Sequence, residues 1–234
     1  MTLCTANFDA GSNGANILTS DPGSATAWDV TVNVGAGNIL AYDNTHVAHG
    51  ALAAKIDNTS TPSSSATMEW DGALGSPTDW FGRAYVYVTS NPAASLRIGQ
   101  TVTLTNWLIW ITSSGKLLAL DTVGAVMFTS TASVVLNAWF RLEWHMIHST
   151  TVGQYELKLF NNADSTVPTE VDTSTATFNT GASCSGMLFG IDHSGSAAGI
   201  WLDDLVAGAT SYPGPAVAPS TSNPILRLGR GSAW

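Results

Sequence analysis

The stretch WFRLEWHM at residues 139–146 alternates between two kinds of side chain. In an extended strand, successive side chains point to opposite faces. One face of this stretch would carry only apolar side chains and would face a core: Phe140, Leu142, Trp144 and Met146. The other face would carry Arg141, Glu143 and His145. The pattern predicts a β-strand in a sheet that is buried on one side.

The rest of the chain repeats this kind of signal. Residues 83–88 alternate in the same way, with Arg83, Tyr85 and Tyr87 on the polar face. Helical periodicity is nearly absent, and no unit recurs at a fixed spacing. Further strands, each closed by turn residues, are predicted at 28–34, 52–56, 67–70, 101–111, 117–120, 125–129, 155–160, 187–191 and 200–206. The chain is therefore predicted to be all-β, an antiparallel β-sandwich or jelly roll.

Composition limits the function classes. Charged residues make up 11% of the 234 residues, against about 25% in an average soluble domain. The net charge of −9 opposes binding to nucleic acid and to anionic membranes, so neither partner is expected. The low charge fits either an ordinary extracellular β-protein or a subunit whose surface is covered by neighbours.

The first residues, MTLCTA, lack a basic segment and an apolar core, so no signal peptide is seen. Cys4 and Cys184 could form one disulfide or remain two thiols.

Composition changes after Tyr212. Residues 1–212 are predicted to form the β-sandwich domain, and residues 213–234 a Pro-rich linker followed by a C-terminal arm. The arm would bind a partner protein or a sister subunit in a homo-oligomer through Ile225, Leu226, Leu228 and Trp234. The alternative is a frayed tail.

Six segments occur in an order that points to a known fold family. They are Asn7-Phe8-Asp9 with Gly11 and Gly14, Tyr42-Asp43 followed by His49-Gly50, and the stretches 83–86, 114–117, 137–143 and 201–205. Together they resemble the laminin-G-like, concanavalin-A-like jelly rolls of bacterial and bacteriophage proteins, over about residues 7–212. The resemblance implies a sandwich whose first and last strands lie side by side.

The same resemblance implies a structural calcium ion where the first and last strands meet. The residues that would hold it are Asp9, Asn13, Asp203 and Asp204. Carboxylate and carbonyl oxygens are the ligands that calcium prefers. The alternative is that these aspartates cap turns or pair with basic residues.

The polar faces of the two best strands form a candidate ligand site. Arg83, Tyr85, Tyr87, Arg141, Glu143 and His145 could hold a sugar, because a sugar ring stacks on aromatic rings and charged groups bind its hydroxyls. The alternative is an outer face covered by solvent or by another subunit. Trp80 and Trp234 are the candidates for surface anchors, and the other tryptophans are expected to be packing residues.

Catalysis is not expected. Glycosidases need two carboxyl groups about 5–10 Å apart, and the best strand carries one acid, Glu143. His46 and His49 lie near Asp43 and could grip a transition metal, but such histidines are more often turn residues.

The family resemblance suggests a non-enzymatic structural virion protein of the minor tail or capsid-surface type, located in the virion and assembled with other virion proteins. The alternative is a carbohydrate-binding module or phage adhesin that recognises a cell-surface glycan, in an extracellular setting.

Overall fold

The structure is a computed structural model that describes residues 1–21, 26–35, 37–58, 65–102, 107–174, 178–191 and 198–216. The regular structure in these ranges is entirely β. The strands are β1 (Cys4–Ala6), β2 (Val30–Val34), β3 (Ile39–Asp43), β4 (Ala53–Asn58), β5 (Ser65–Trp70), β6 (Asp79–Val88), β7 (Leu96–Val102), β8 (Trp107–Ile111), β9 (Lys116–Leu120), β10 (Val126–Ser133), β11 (Trp139–Ile147), β12 (Gln154–Phe160), β13 (Glu170–Thr173), β14 (Gly186–Ile191) and β15 (Ala198–Ala209).

The strands form two antiparallel sheets. The front sheet has the order β13-β12-β11-β6-β15-β4-β3, with β1 alongside β15. The back sheet has the order β10-β9-β8-β7-β14-β5-β2. The predicted fold class, an all-β antiparallel sandwich, is confirmed.

The two ends of the chain meet in the front sheet. Strand β1 pairs antiparallel with β15, and Ala6 lies opposite Leu205. The predicted adjacency of the first and last strands is therefore confirmed.

The core lies between the sheets and is lined by the apolar faces that the alternation predicts. The inward side chains of β6 and β11 are buried: Ala84, Val86, Val88, Phe140, Leu142, Trp144 and Met146. Trp28 and Trp70 stack at 4.5 Å in the same core. The prediction that Trp80 is a surface anchor is wrong, because Trp80 is fully buried and its Nε1 donates to His148 Nε2 at 3.1 Å.

Some elements differ from the sequence prediction. The apolar stretch 101–111 is not one strand, because it contains the end of β7 and all of β8, which pair antiparallel with each other. Strands β1, β3 and β13 lie outside the predicted strand ranges. Both cysteines are free and buried. In the ranges that the structure describes, no helix is long and apolar enough to cross a membrane.

Candidate functional site

Pairing between β6 and β11 aligns the predicted ligand residues in rows across the front sheet. Arg141 lies opposite Tyr85, and Glu143 lies opposite Arg83. Since directly opposed residues share a face of an antiparallel sheet, the six predicted residues lie on one face, which points away from the core. We call this surface the polar face.

Most of the predicted residues are not accessible on this face. Tyr85 is 0% exposed, Arg141 1%, Glu143 3% and Arg83 9%. The Nε of Arg141 pairs with Oε1 of Glu143 at 3.0 Å. Burial raises the pKa of Glu143, while the guanidinium of Arg141 acts in the opposite direction.

A loop at residues 161–168 covers one part of the polar face. Arg141 donates to the carbonyl oxygens of Ala163 and Ser165, the latter at 2.7 Å. The hydroxyl of Tyr85 donates to Asp164 Oδ1 at 2.9 Å. These side chains therefore anchor the loop to the sheet.

A second cover is the segment 212–216, which we call the strap. Arg83 Nη1 donates to the carbonyl oxygen of Gly214 at 2.9 Å. The amide of Ala216 donates to the Tyr85 hydroxyl at 2.9 Å. Lys158 Nζ lies 3.3 Å from the ring centroid of Tyr212. The first residues of the predicted linker are thus bound to the sheet, whereas Ile225, Leu226, Leu228 and Trp234 lie outside the described residues and the arm stays a prediction.

Tyr87 and His145 are the members of the predicted set that keep partial exposure. His145 stacks on Phe81 at 4.0 Å and contacts Asp79 Oδ1 at 2.7 Å. Tyr87 belongs to a different group at the other end of the polar face. The predicted set is therefore one face, but not one binding site.

That group is an aromatic cluster built on three adjacent strands. Trp139 of β11 lies opposite Tyr87 of β6, and Tyr87 lies opposite Trp201 of β15. The ring of Tyr87 is 5.6 Å from that of Trp139 and 5.7 Å from that of Trp201. His46, from the loop after β3, lies 4.3 Å from the Tyr87 ring and 4.2 Å from the Trp201 ring. His46, Tyr87 and Trp139 are partly exposed, and Trp201 forms the floor at 8% exposure.

Polar groups border the aromatic cluster. Lys55 lies opposite Trp201 in the row, with its Nζ 5.6 Å from the ring centroid. Trp201 Nε1 donates to Asp43 Oδ1 at 3.1 Å. Partial burial opposes ionisation of Asp43, but hydrogen bonds from Thr45 and Trp201 lower its pKa overall. The site thus combines ring faces with an ammonium and a carboxylate.

The residues predicted to hold calcium have hydrogen-bonding roles. Asp9 Oδ1 accepts from the amides of Ala51 and Leu52, and Asp203 Oδ2 accepts from those of Ala48 and His49. The carboxylates of Asp9 and Asp203, which are far apart in sequence, therefore both bind the backbone of the loop at residues 48–52.

The other two predicted ligands also have protein partners. Asn13 Oδ1 accepts from the amide of Asn44 at 3.0 Å. Asp204 Oδ2 lies 2.5 Å from His49 Nδ1. Within the described ranges, no three His, Cys, Asp or Glu residues are grouped so as to hold a metal ion. Calcium stays a prediction.

From the sequence, Trp139 and Trp201 are expected to be packing residues and His46 a turn residue, so this cluster is not among the predicted sites. A signal was present for the two tryptophans. Trp139 has the same strand parity as Arg141, and Trp201 the same parity as Asp203, so both belong to the polar face. The contact of His46 with this row depends on the path of a loop, which no local pattern gives.

No family model and no curated protein matches the chain. Solved structures do match. One is an endo-β-1,4-glucuronan lyase from the fungus Trichoderma reesei, with a TM-score of 0.61, 15% identity, and 88% of this chain and 100% of that chain covered. Another is a cellulose induced protein, with a TM-score of 0.58, 17% identity, and 88% and 97% covered.

A third is domain 4 of an extracellular arabinanase from Geobacillus stearothermophilus in complex with arabinotriose. It matches with a TM-score of 0.54, 14% identity, and 92% and 94% of the two chains covered. At these identities the likeness concerns the fold, and the chain shares the β-sandwich architecture of these proteins.

Proposed function

We propose that this protein is a carbohydrate-binding module and that the aromatic cluster is its glycan site. The observation that supports the proposal most is the row Trp139, Tyr87 and Trp201 on adjacent strands, with His46 against it. The apolar C–H face of a sugar packs on an aromatic ring, and neighbouring polar groups bind its hydroxyls. Ligand sites commonly combine apolar and aromatic lining with a few placed polar groups.

The fold comparisons add support of a general kind. The structural neighbours include a domain in complex with arabinotriose, a glucuronan lyase and a cellulose induced protein. This favours the glycan-binding alternative over the virion role. The virion role and its partner proteins were inferred from the family resemblance, and binding of a partner or sister subunit was assigned to the arm at residues 213–234; all of these stay predictions.

We propose binding without hydrolysis. The buried carboxyl groups that the sheet places on the polar face have protein partners: Glu143 pairs with Arg141, and Asp203 accepts three backbone amides. A glycosidase needs two carboxyl groups that both reach the scissile bond, and these two are nearly inaccessible.

A glycan array tests the proposal. Wild-type protein should bind at least one glycan class, and Trp139→Ala should lower the affinity by up to about ten-fold, because a stacking ring is worth about 0.5–1.5 kcal/mol. The matched control is Trp110→Ala, which removes a partly exposed tryptophan that lies beside Arg97 on the back sheet. No binding by folded wild-type protein, or equal losses in both variants, would contradict the proposal.

A further inference from the structure

We infer that the aromatic cluster takes a single, soluble, uncharged glycan chain, rather than the surface of a crystalline polysaccharide or a polyuronate. This inference depends on the proposed function and adds the class of ligand. Three observations support the inference: the angles between the rings, the length of the row from Trp139 to Lys55, and the charges beside that row.

The rings of the cluster are not coplanar. The Tyr87 ring is inclined by 60° to Trp139 and by 88° to Trp201. The His46 ring is inclined by 49° to Tyr87 and by 43° to Trp201. A crystalline polymer presents a flat surface, and a flat surface contacts several rings together only when they lie in one plane. The angled rings suit separate sugar residues of one chain, each turned relative to the next.

The row has the length of a short oligosaccharide. Trp139, Tyr87, Trp201 and Lys55 occupy four neighbouring strands, and each is directly opposite the next. With strands about 4.8 Å apart, the row spans about 14 Å. A chain lying across the strands would thus contact Tyr87 and Trp139 through ring faces and reach Lys55 through a hydroxyl group.

Charge at the site does not favour a polyanion. The ammonium of Lys55 borders the row, but Asp43 accepts a hydrogen bond from Trp201 Nε1, and Asp57 lies on the same strand as Lys55. Partial burial raises the pKa of Asp43, but hydrogen bonds from Thr45 and Trp201 lower it overall and so favour the charged carboxylate. The whole chain carries −9. A polyuronate would meet repulsion both locally and at long range.

The test compares the binding of the 234-residue chain to three kinds of polysaccharide. The soluble neutral probes are linear arabinan, arabinoxylan and hydroxyethylcellulose, the acidic probe is polygalacturonate, and the crystalline probe is microcrystalline cellulose. Affinity electrophoresis serves the soluble probes, and a pull-down serves the insoluble one. We expect at least one neutral probe to retard the protein, and we expect neither polygalacturonate nor microcrystalline cellulose to bind it.

The Trp139→Ala and Trp110→Ala variants make the outcomes distinguishable. Retardation by a neutral probe that Trp139→Ala abolishes, and Trp110→Ala retains, supports the inference. Binding to polygalacturonate or microcrystalline cellulose alone, lost in Trp139→Ala, overturns the inference and leaves the proposed function in place. Absence of binding to every probe, or binding that Trp139→Ala does not change, overturns both.

Oligosaccharides of the neutral polymer that binds then test the length of the row. Calorimetric affinity should rise with chain length and level off once the oligosaccharide spans the four strands. An affinity that is already complete with a monosaccharide would show a pocket for a chain end, which contradicts a site for a continuous chain.

Discussion

At the scale of single residues, burial determines the chemistry of the two thiols. Burial raises the pKa of Cys4 to about 11 and that of Cys184 to about 12. Because the thiolate is the reactive form, we expect neither thiol to react with Ellman's reagent at pH 8 in the folded protein. In denaturant both should react within minutes. Rapid reaction of a thiol in the native protein, or fewer than two reactive thiols after unfolding, would contradict the structure.

The buried carboxyl group of Asp203 gives stability a pH dependence. Burial and the neighbouring Asp204 raise its pKa to about 8, against the opposing backbone hydrogen bonds. The unfolded pKa is about 3.9, so the folded state binds more protons than the unfolded state between these values. The free energy of unfolding contributed by Asp203 should therefore be largest at acidic pH and fall as the pH rises towards 8.

Urea unfolding from pH 5 to pH 8, with EDTA present to exclude cations, measures this effect. Asp203→Asn keeps one acceptor oxygen but does not titrate. From pH 5 to pH 8 the free energy of unfolding should fall further in the wild type than in Asp203→Asn. We expect the difference between the two decreases to be at least about 1 kcal/mol. Parallel pH profiles for the two proteins would show that Asp203 is ionised throughout.

Individual side chains were predictable only in part. Strand parity placed Tyr87 and Arg141 on one face, and the register confirms this. Strand parity does not indicate which other segments of the chain cover the side chains of that face. Arg141 is 1% exposed because a loop some twenty residues away in sequence accepts its hydrogen bonds. Side-chain accessibility thus depended on loop paths that the alternation does not encode.

At the scale of elements, the pairing of β6 with β11 leaves no room for a side chain at Gly82. Gly82 lies opposite Trp144 on the core face. A Cβ at this position would lie 2.3 Å from the Trp144 ring. Gly82→Ala should therefore destabilise the protein by about 1–3 kcal/mol, because a packed core resists added volume.

Gly199→Ala on β15 is the control for Gly82→Ala. A Cβ there would have its nearest neighbour at 3.8 Å, in ordinary contact with the Asp57 side chain. Urea unfolding should give Gly199→Ala a stability within about 0.5 kcal/mol of wild type. Equal effects of the two substitutions would argue against the packing of Trp144 on Gly82.

Strands with regular alternation were the predictable elements. The predicted stretches at 83–88 and 139–146 fall within β6 and β11, whose apolar faces are in the core. Strand β13 was missed because Glu-Val-Asp-Thr carries one apolar residue and lies at the edge of the front sheet. The stretch 101–111 reads as one strand in the sequence because continuous apolar residues do not mark where a chain reverses.

At the scale of the whole molecule, the strap connects the C-terminal segment to the sandwich. A chain cut after Ser211 loses Gly214 and Ala216, which bind Arg83 and Tyr85. Without the carbonyl oxygen of Gly214, the buried guanidinium of Arg83 loses a hydrogen-bond acceptor. Such a loss lowers the free energy of unfolding by about 1–3 kcal/mol. A chain cut after Ala216 keeps both contacts.

Thermal unfolding of the two truncated chains tests the role of the strap. We expect the chain that ends at Ser211 to unfold several degrees below the wild type, and the chain that ends at Ala216 to unfold within about one degree of the longer protein. Equal unfolding temperatures for the two chains would show that the strap does not stabilise the domain.

The native mass of the chain that ends at Ala216 also tests the predicted arm, since loss of an oligomer would support it.

The family resemblance predicts that the first and last strands lie side by side. The pairing of β1 with β15 confirms this adjacency. The location of the candidate site was not predictable. It combines Trp139, Tyr87 and Trp201 from strands far apart in sequence with His46 from a loop. The strand order of the front sheet brings the three strand residues together, and the path of the loop after β3 adds His46.

The proposed glycan site depends on contact between the sugar chain and the ring of Trp139. The most direct measurement is the indole N–H spectrum of ¹⁵N-labelled protein during titration with an oligosaccharide, with the signals of Trp139 and Trp110 assigned by Trp→Phe variants. We predict that the Trp139 signal shifts in a saturable manner and that the Trp110 signal stays in place. A titration that leaves Trp139 unmoved while shifting Trp110, or that shifts neither signal although the oligosaccharide binds, would contradict the claim.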